Sequence, residues 1–374
     1  MKRQKGLVCS ICLVSILLAG GIGYTVGRGP FIMARQVEST LKNEALTPPD
    51  NTTMDRAACR ALAQAVQDEY TQWLSPEQMQ ALLADLSGET RVGIGAEMVT
   101  TERGWRITAV SENGPAAKAG LAKGDLVTKI NGNPVSGANW QPEEGGTALF
   151  CVEREGMERE IVVIPQETEP LPPVVAKTMP GAYGYIRIRS FVQENVEQAF
   201  AEAMAQVATD NGVVIDIRHN PGGRMEAVLA MLDEFLPEKT EILRLYEAKG
   251  KQTHYKTEKG QRYTMPVVVL TDGQSASAAE IFAGVLQKHN RAMIIGETTY
   301  GKGVVQKMKS LGDGSGLKYT MAEYRLADDT AIHGKGVVPD LTVVSGALPG
   351  WAETETEDDA LQAALLWLSR EKTQ

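Results

Sequence analysis

Three short stretches of the chain carry residue types that could do chemistry. The first is Thr271-Asp272-Gly273-Gln274-Ser275-Ala276-Ser277-Ala278-Ala279-Glu280. An apolar run at 267–270 ends in a glycine turn, small residues follow, and a helical pattern begins at 278. Such a turn sets a serine at a helix N-terminus, where free backbone N–H groups can stabilise an oxyanion. The second is Thr298-Thr299-Tyr300-Gly301-Lys302-Gly303-Val304-Val305-Gln306. A lysine between two glycines, pressed into an apolar site, would fall from its ordinary pKa of about 10.4 and could serve as a general base. If 303–307 is extended, Lys302 and Gln306 share a face, and Gln306 can orient the amine. The third is Asp216-Ile217-Arg218-His219-Asn220-Pro221-Gly222-Gly223. Glycines at a strand-to-helix turn let amides face a ligand, so Gly222 and Gly223, with Ala278, are oxyanion-hole candidates. This spacing fits neither a phosphate-binding P-loop nor the dinucleotide fingerprint.

Each stretch also has an ordinary explanation. Ser275 or Ser277 can be a plain helix cap, and Lys302 a solvated turn lysine. A histidine base has four candidates, His219, His254, His289 and His333, none with a motif of its own. His219 is the best placed, next to the glycine turn.

A fourth stretch concerns binding. Arg91-Val92-Gly93-Ile94-Gly95 precedes a strand, and Asn113-Gly114-Pro115-Ala116 leads on to Gly124-Asp125. Amides at such a turn, here Val92, Gly93, Ile94 and Gly95, can hold a C-terminal carboxylate, and the strand edge beside them can accept a peptide as an added strand.

The elements around these stretches follow from pattern. Helical spacing covers 55–70, and Ser75-Pro76-Glu77-Gln78 starts a helix that runs to about 86. Short strands and glycine turns fill 92–165, with Asn131-Gly132 as a hairpin turn. From 183 onward strands (183–188, 213–217, 266–271, 292–296) alternate with helices (195–208, 225–235, 278–288), which predicts an α/β domain with a largely parallel sheet. An amphipathic helix is expected at 356–370.

The 374 residues fit two or three compact units. With 43% hydrophobic and 23% charged residues, the chain can bury a large core and is not a disordered one. A net charge of −9, without a basic patch outside the N-terminus, argues against nucleic acid. From Gly6 to Gly27 there is no charged residue, and Lys2, Arg3 and Lys5 precede that run. As a helix it would extend about 33 Å, enough for a hydrocarbon core of roughly 30 Å. The charge bias keeps the N-terminus cytoplasmic and the rest outside, and the lack of an Ala-x-Ala site favours an uncleaved anchor over a signal peptide. Cys9-x-x-Cys12 has no partner motif, so zinc is not expected. Cys59 and Cys151 could pair outside the cytoplasm but fall in different expected domains.

Taken together, these ordered motifs from about Asp68 to Val344 resemble the carboxyl-terminal processing peptidases, or tail-specific proteases. Asp68-Glu69-Tyr70-Thr71-Gln72-Trp73-Leu74-Ser75-Pro76 is similar to the family's entry motif, and Gly334-Lys335-Gly336-Val337-Val338-Pro339-Asp340 to its closing motif. The resemblance makes Ser277, not Ser275, the nucleophile, Lys302 the base and Gln306 its support. His219 stands where an asparagine is more usual. The resemblance implies a ClpP/crotonase-like α/β core with an inserted PDZ domain, an endopeptidase that needs no metal or organic cofactor, and protein or peptide substrates held by their C-terminal tails. PDZ-gated activation would follow, with Arg154 as a relay at the domain junction. The competing readings are a catalytically silent PDZ scaffold and a crotonase-like acyl-CoA enzyme. The expected plan is a cytoplasmic tip and transmembrane anchor (1–30), a helical stalk (31–89), a PDZ domain (90–168), a peptidase core (169–345) and a C-terminal helical segment (346–374). That plan suits a single-pass, extracytoplasmic protein of a bacterial cell membrane, with a homodimer allowed by its helical ends.

Overall fold

The computed structural model describes residues 31–87, 91–101, 103–135, 140–207, 211–344 and 358–371. The expected anchor lies outside them, and among the described residues no helix is long and apolar enough to cross a membrane. The chain divides into two units, 1–75 and 76–374.

In the first unit, α1 (Ile32–Glu44) buries none of its residues. Helix α2 (Asn51–Gln64) starts earlier than the sequence pattern suggested, because the Asp50 carboxylate caps it by accepting the Thr53 N–H at 2.9 Å. It also ends earlier: Gln67 has a φ of 56°, which a helix does not tolerate. Strand β1 (Gln72–Leu74) closes the unit, with the Arg60 guanidinium over the Trp73 ring.

The second unit opens with α3 (Pro76–Ser87). A β-rich module follows: β2 (Arg91–Gly93), β3 (Ala96–Thr101), β4 (Gly104–Val110), α4 (Pro115–Ala119), β5 (Leu126–Ile130), β6 (Asn133–Pro134), β7 (Ala148–Arg154), β8 (Met157–Val163) and β9 (Gln166–Thr168). Its sheet runs β3-β4-β5-β7-β8, leaving β3 at the edge. Ile107, Val127, Phe150, Val152 and Val163 fill its core without exposure. Asn131 and Gly132 both have positive φ, the turn that a two-residue hairpin between β5 and β6 demands. Strand β2 pairs with β9, so the chain enters and leaves the module side by side, as an insertion must.

The larger sheet holds β10 (Val174–Met179), β11 (Tyr183–Ile188), β12 (Val213–Asp216), β15 (Val267–Thr271), β16 (Met293–Gly296) and β19 (Leu341–Thr342), in that order. All neighbours after β10 are parallel. Strands β12 and β15 are buried throughout, which explains their unbroken apolar runs. One face packs α5 (Val196–Val207), α6 (Met225–Asp233) and α7 (Ala278–Lys288). The other face packs α8 (Asp359–Glu371) through Ala360, Leu361, Ala364 and Leu368.

A second, antiparallel sheet was not apparent from the sequence. It joins β13 (Glu241–Glu247), β14 (Gln252–Lys256), β17 (Val304–Ser310) and β18 (Gly316–Leu326). These strands mix apolar and charged residues, and β13 finds β18 across a long stretch of chain, a pairing no local pattern announces. Helix α7 packs against strands of both sheets, with every residue from Ala278 to Leu286 buried. A helix apolar all round requires such a place.

Candidate active site

Ser277 stands at the end of the turn from β15 into α7 with φ 56° and ψ −115°. A non-glycine residue there carries roughly 1–3 kcal/mol of strain and persists only where its surroundings fix it. The surroundings are specific. The Ser277 N–H donates to Glu280 Oε2 at 2.8 Å, and the Ser277 carbonyl accepts the Tyr324 hydroxyl at 3.0 Å.

Lys302 is held by the same two residues. Its N–H donates to the same Glu280 Oε2 at 2.8 Å, and its carbonyl accepts the Tyr324 hydroxyl at 2.9 Å. Glu280 Oε1 takes the Gly301 N–H at 2.7 Å and the Thr299 hydroxyl at 2.6 Å. A glutamate with no exposure is thereby satisfied by four donors. Burial pushes the Tyr324 phenol well above its ordinary pKa, and the Glu280 charge adds to this, so the hydroxyl remains a donor.

The glycines beside Lys302 have separate reasons. Gly301 has a φ of 92°, while a Cβ on Gly303 would meet the His333 backbone nitrogen at 2.3 Å. The closing motif docks on this turn, since Thr299 Oγ1 also accepts the Val337 N–H at 2.7 Å. Lys302 Nζ donates to Gln306 Oε1 at 3.1 Å. The irregularity in the β17–β18 ladder falls between Val305 and Gln306, where the partner steps from Ala322 to Thr320. The extra residue is therefore on β18, and β17, which starts two residues after Lys302, runs regularly through Gln306.

Ser277, Lys302, Gln306, Gly222, Gly223 and Ala278 all line one cleft of about 480 Å³, with Tyr324 and apolar residues such as Met225, Ile281 and Val304. Gly222 (φ 96°) packs so closely that a Cβ would lie 2.6 Å from the Ala276 carbonyl and 2.9 Å from the Ala278 nitrogen. Its own N–H is engaged, donating to Asn220 Oδ1 at 2.9 Å. The Asn220 carbonyl accepts the Ala276 N–H at 2.9 Å, tying the glycine turn to the serine turn.

Ser275 has a different environment. It has no exposure, and its hydroxyl donates to the Ile217 carbonyl at 2.9 Å and accepts the Asp272 N–H at 3.0 Å. His219 does not line the Ser277 cleft. Its Nε2 lies 3.2 Å from Asp272 Oδ2, and its N–H also donates to that carboxylate. Cys59 and Cys151 are both free. Arg154 is engaged inside the β-rich module, with Asp125 and the Gly120 carbonyl, rather than at a junction.

Gly93, Ile94 and Gly95 line a second groove of about 580 Å³, together with β3. Val92 lies instead in the β2–β9 pair. The Ile94 side chain turns into the module's core, and its carbonyl accepts the Ala116 N–H at 2.8 Å.

Glu280 and Tyr324 escaped sequence reading. Glu280 had a visible signal, since it stands three residues after Ser277 in capping-box spacing. Tyr324 had none: only the pairing of β17 with β18 brings it to both carbonyls.

This is an α/β peptidase fold that carries a PDZ domain. The profile of peptidase family S41 matches residues 182–343, and that of a PDZ domain residues 106–144. These matches support a serine-type peptidase related to the carboxyl-terminal processing peptidases of family S41. It is 29% identical over 376 aligned residues to the carboxy-terminal processing protease CtpA of Bacillus subtilis (strain 168), covering 94% of this chain and 79% of that one. It is 30% identical to a probable CtpA-like serine protease of Staphylococcus aureus (strain COL), covering 82% of this chain but only 63% of that protein, under two thirds of its length. Among solved structures, a photosystem II D1 C-terminal processing protease superposes with a TM-score of 0.60 at 26% identity, over 86% of this chain and 89% of that one. A putative S41 protease from Bacteroides fragilis NCTC 9343 shares the fold, with a TM-score of 0.61 at 17% identity, over 89% and 97% of the two chains.

Proposed function

We propose that the chain is a serine endopeptidase working through a Ser277–Lys302 dyad on extracytoplasmic proteins recognised by their C-terminal tails. The observation that carries this reading is the shared support of the two residues. One carboxylate oxygen of Glu280 accepts both backbone N–H groups, and one hydroxyl of Tyr324 serves both carbonyls, while both side chains line one cleft with Gln306.

In the reaction, the neutral Lys302 amine takes the proton of Ser277 as Oγ attacks the peptide carbonyl. Gln306 Oε1 accepts from the amine and aims it. The amides of Gly223 and Ala278 receive the developing oxyanion, and Gly222 provides the close approach rather than a donor. The C–N bond breaks, Lys302 returns the proton to the leaving amine, and water hydrolyses the acyl-enzyme. A substrate tail adds to the β3 edge with its carboxylate at the Gly93–Gly95 turn, and this occupancy gates the active site. The apolar run from Gly6 to Gly27 serves as membrane anchor, and α1, which buries none of its residues, is the candidate dimer contact.

The test uses the full chain in mild detergent and a tailed, unstructured peptide. Wild type is expected to cleave it, with Ser277→Ala and Lys302→Ala silent. Cleavage that survives Ser277→Ala would refute the dyad. A wild type inert towards many peptides with apolar C-termini would favour a silent PDZ scaffold.

A further inference from the structure

Glu97 belongs to β3, the edge strand of the PDZ sheet, yet its side chain reaches out of that domain. Its Oε1 accepts from Arg187 Nη2 at 2.8 Å and its Oε2 from Arg189 Nε at 2.8 Å. The Arg187 side chain has no exposure at all. Removing a carboxylate that so buried a guanidinium donates to is costly, because the charge then leans on its remaining neighbours.

Arg187 stands opposite Asp216 in the parallel register of β11 and β12. Burial would raise the Asp216 carboxyl, but Arg218 first, and then Arg187, hold it below its usual range. Asp216 accepts Nε, Nη2 and the backbone N–H of Arg218, and the Tyr185 hydroxyl at 2.8 Å. On its far side, Arg218 is gripped by both carboxylate oxygens of Asp358, just ahead of α8. Immediately after Arg218 comes the turn that carries Gly222 and Gly223. Pro221 of that turn lines both the groove beside β3 and the cleft of Ser277, so the turn is a wall common to the two.

We propose that Glu97 is a positioning residue for the Ser277 centre. By accepting from Arg187 Nη2 it limits the pull of Arg187 on Asp216, which Arg218 grips, and this steadies the turn that presents Gly223. A substrate tail paired to the β3 edge orders the strand that carries Glu97, and so acts on the oxyanion amides through one carboxylate. Without Glu97, Arg187 competes with Arg218 for Asp216 and the turn is released. The inference rests on the reading of Ser277 as nucleophile and Gly223 as an oxyanion donor.

The experiment measures kcat and KM of the full chain on a short unstructured peptide with an amidated C-terminus, which offers no tail carboxylate. It repeats them with the same peptide extended by an apolar tail ending in a free carboxylate. Glu97→Gln is expected to lower kcat about tenfold on both, with KM of the amidated peptide within about twofold. In an Arg187→Met background, where the guanidinium that Glu97 holds is absent, Glu97→Gln should change kcat by less than about twofold. A kcat within about twofold of wild type for Glu97→Gln on the amidated peptide overturns the proposal, whether or not Arg187→Met folds. So does a change confined to KM of the tailed peptide, which would make Glu97 a tail contact only, or effects that multiply in the double variant. Ser277→Ala is run in parallel. If it still cleaves, the nucleophile reading fails and the proposal falls with it; if it is silent while Glu97→Gln is unchanged, only the positioning role is lost.

Discussion

Replacing Glu280 by glutamine keeps the shape of the side chain and removes what it does. The carboxylate accepts four hydrogen bonds, two on each oxygen. A glutamine offers one oxygen and turns the other position into an NH2 donor, so two of the four donors must face a donor. Bonds to a charged acceptor contribute about 1.5–3 kcal/mol each, and the abandoned groups are buried, so the loss is about 3–6 kcal/mol. For a domain of this size that lowers Tm by about 5 °C or more. The glutamine oxygen can keep Ser277 and Lys302, or Thr299 and Gly301, but not both pairs. Whichever is kept, the turn carrying Lys302 loses an anchor, and under the proposed dyad a displaced Lys302 amine costs about 100-fold in kcat. Thermal unfolding of the full chain and the peptide assay, run side by side, read the two effects. A Glu280→Gln protein with unchanged Tm and kcat within about threefold of wild type would refute the reasoning, because the four bonds would then carry neither stability nor geometry.

Other substitutions probe the same framework. Tyr324→Phe removes a hydroxyl that serves two carbonyls while the Glu280 tie remains; a loss of about 1–2 kcal/mol in thermal unfolding and a milder fall in kcat than for Glu280→Gln are expected. Gly222→Ala places a Cβ against the Ala276 carbonyl at a φ of 96°, so peptide cleavage should be lost along with stability, and an active, stable variant would contradict the packing. The Asp216 carboxyl lies below its ordinary value in the folded protein, so its contribution is present above the unfolded pKa of about 3.9 and is lost as pH falls through the lower folded value. Scans of Tm from pH 7 down to pH 3 should show this loss below about pH 4 in wild type, and a flatter acid limb but lower neutral Tm for Asp216→Asn.

By itself the sequence determined the elements whose pattern is local. The apolar strands at β11, β12 and β15, the buried helix α7 and the Asn131-Gly132 turn follow from short-range periodicity and turn chemistry. The ordered motifs likewise singled out Ser277, Lys302 and Gln306, through their resemblance to a known family rather than by local pattern, since each stretch alone also fits a plain helix cap or turn. Helix α2 was misread at both ends, since a cap at Asp50 and a left-handed Gln67 outweigh composition. Only tertiary structure decided the rest. It brought β13 to β18 across a long separation, which put Tyr324 at the carbonyls of both Ser277 and Lys302. It engaged the Gly222 N–H with Asn220, leaving that glycine to act by its smallness. And it joined a glutamate of the PDZ edge to a buried arginine of the core and an aspartate ahead of the last helix to Arg218. Such pairs form because a buried charge must find its opposite, and where that partner lies along the chain is set by the fold, not by any local pattern.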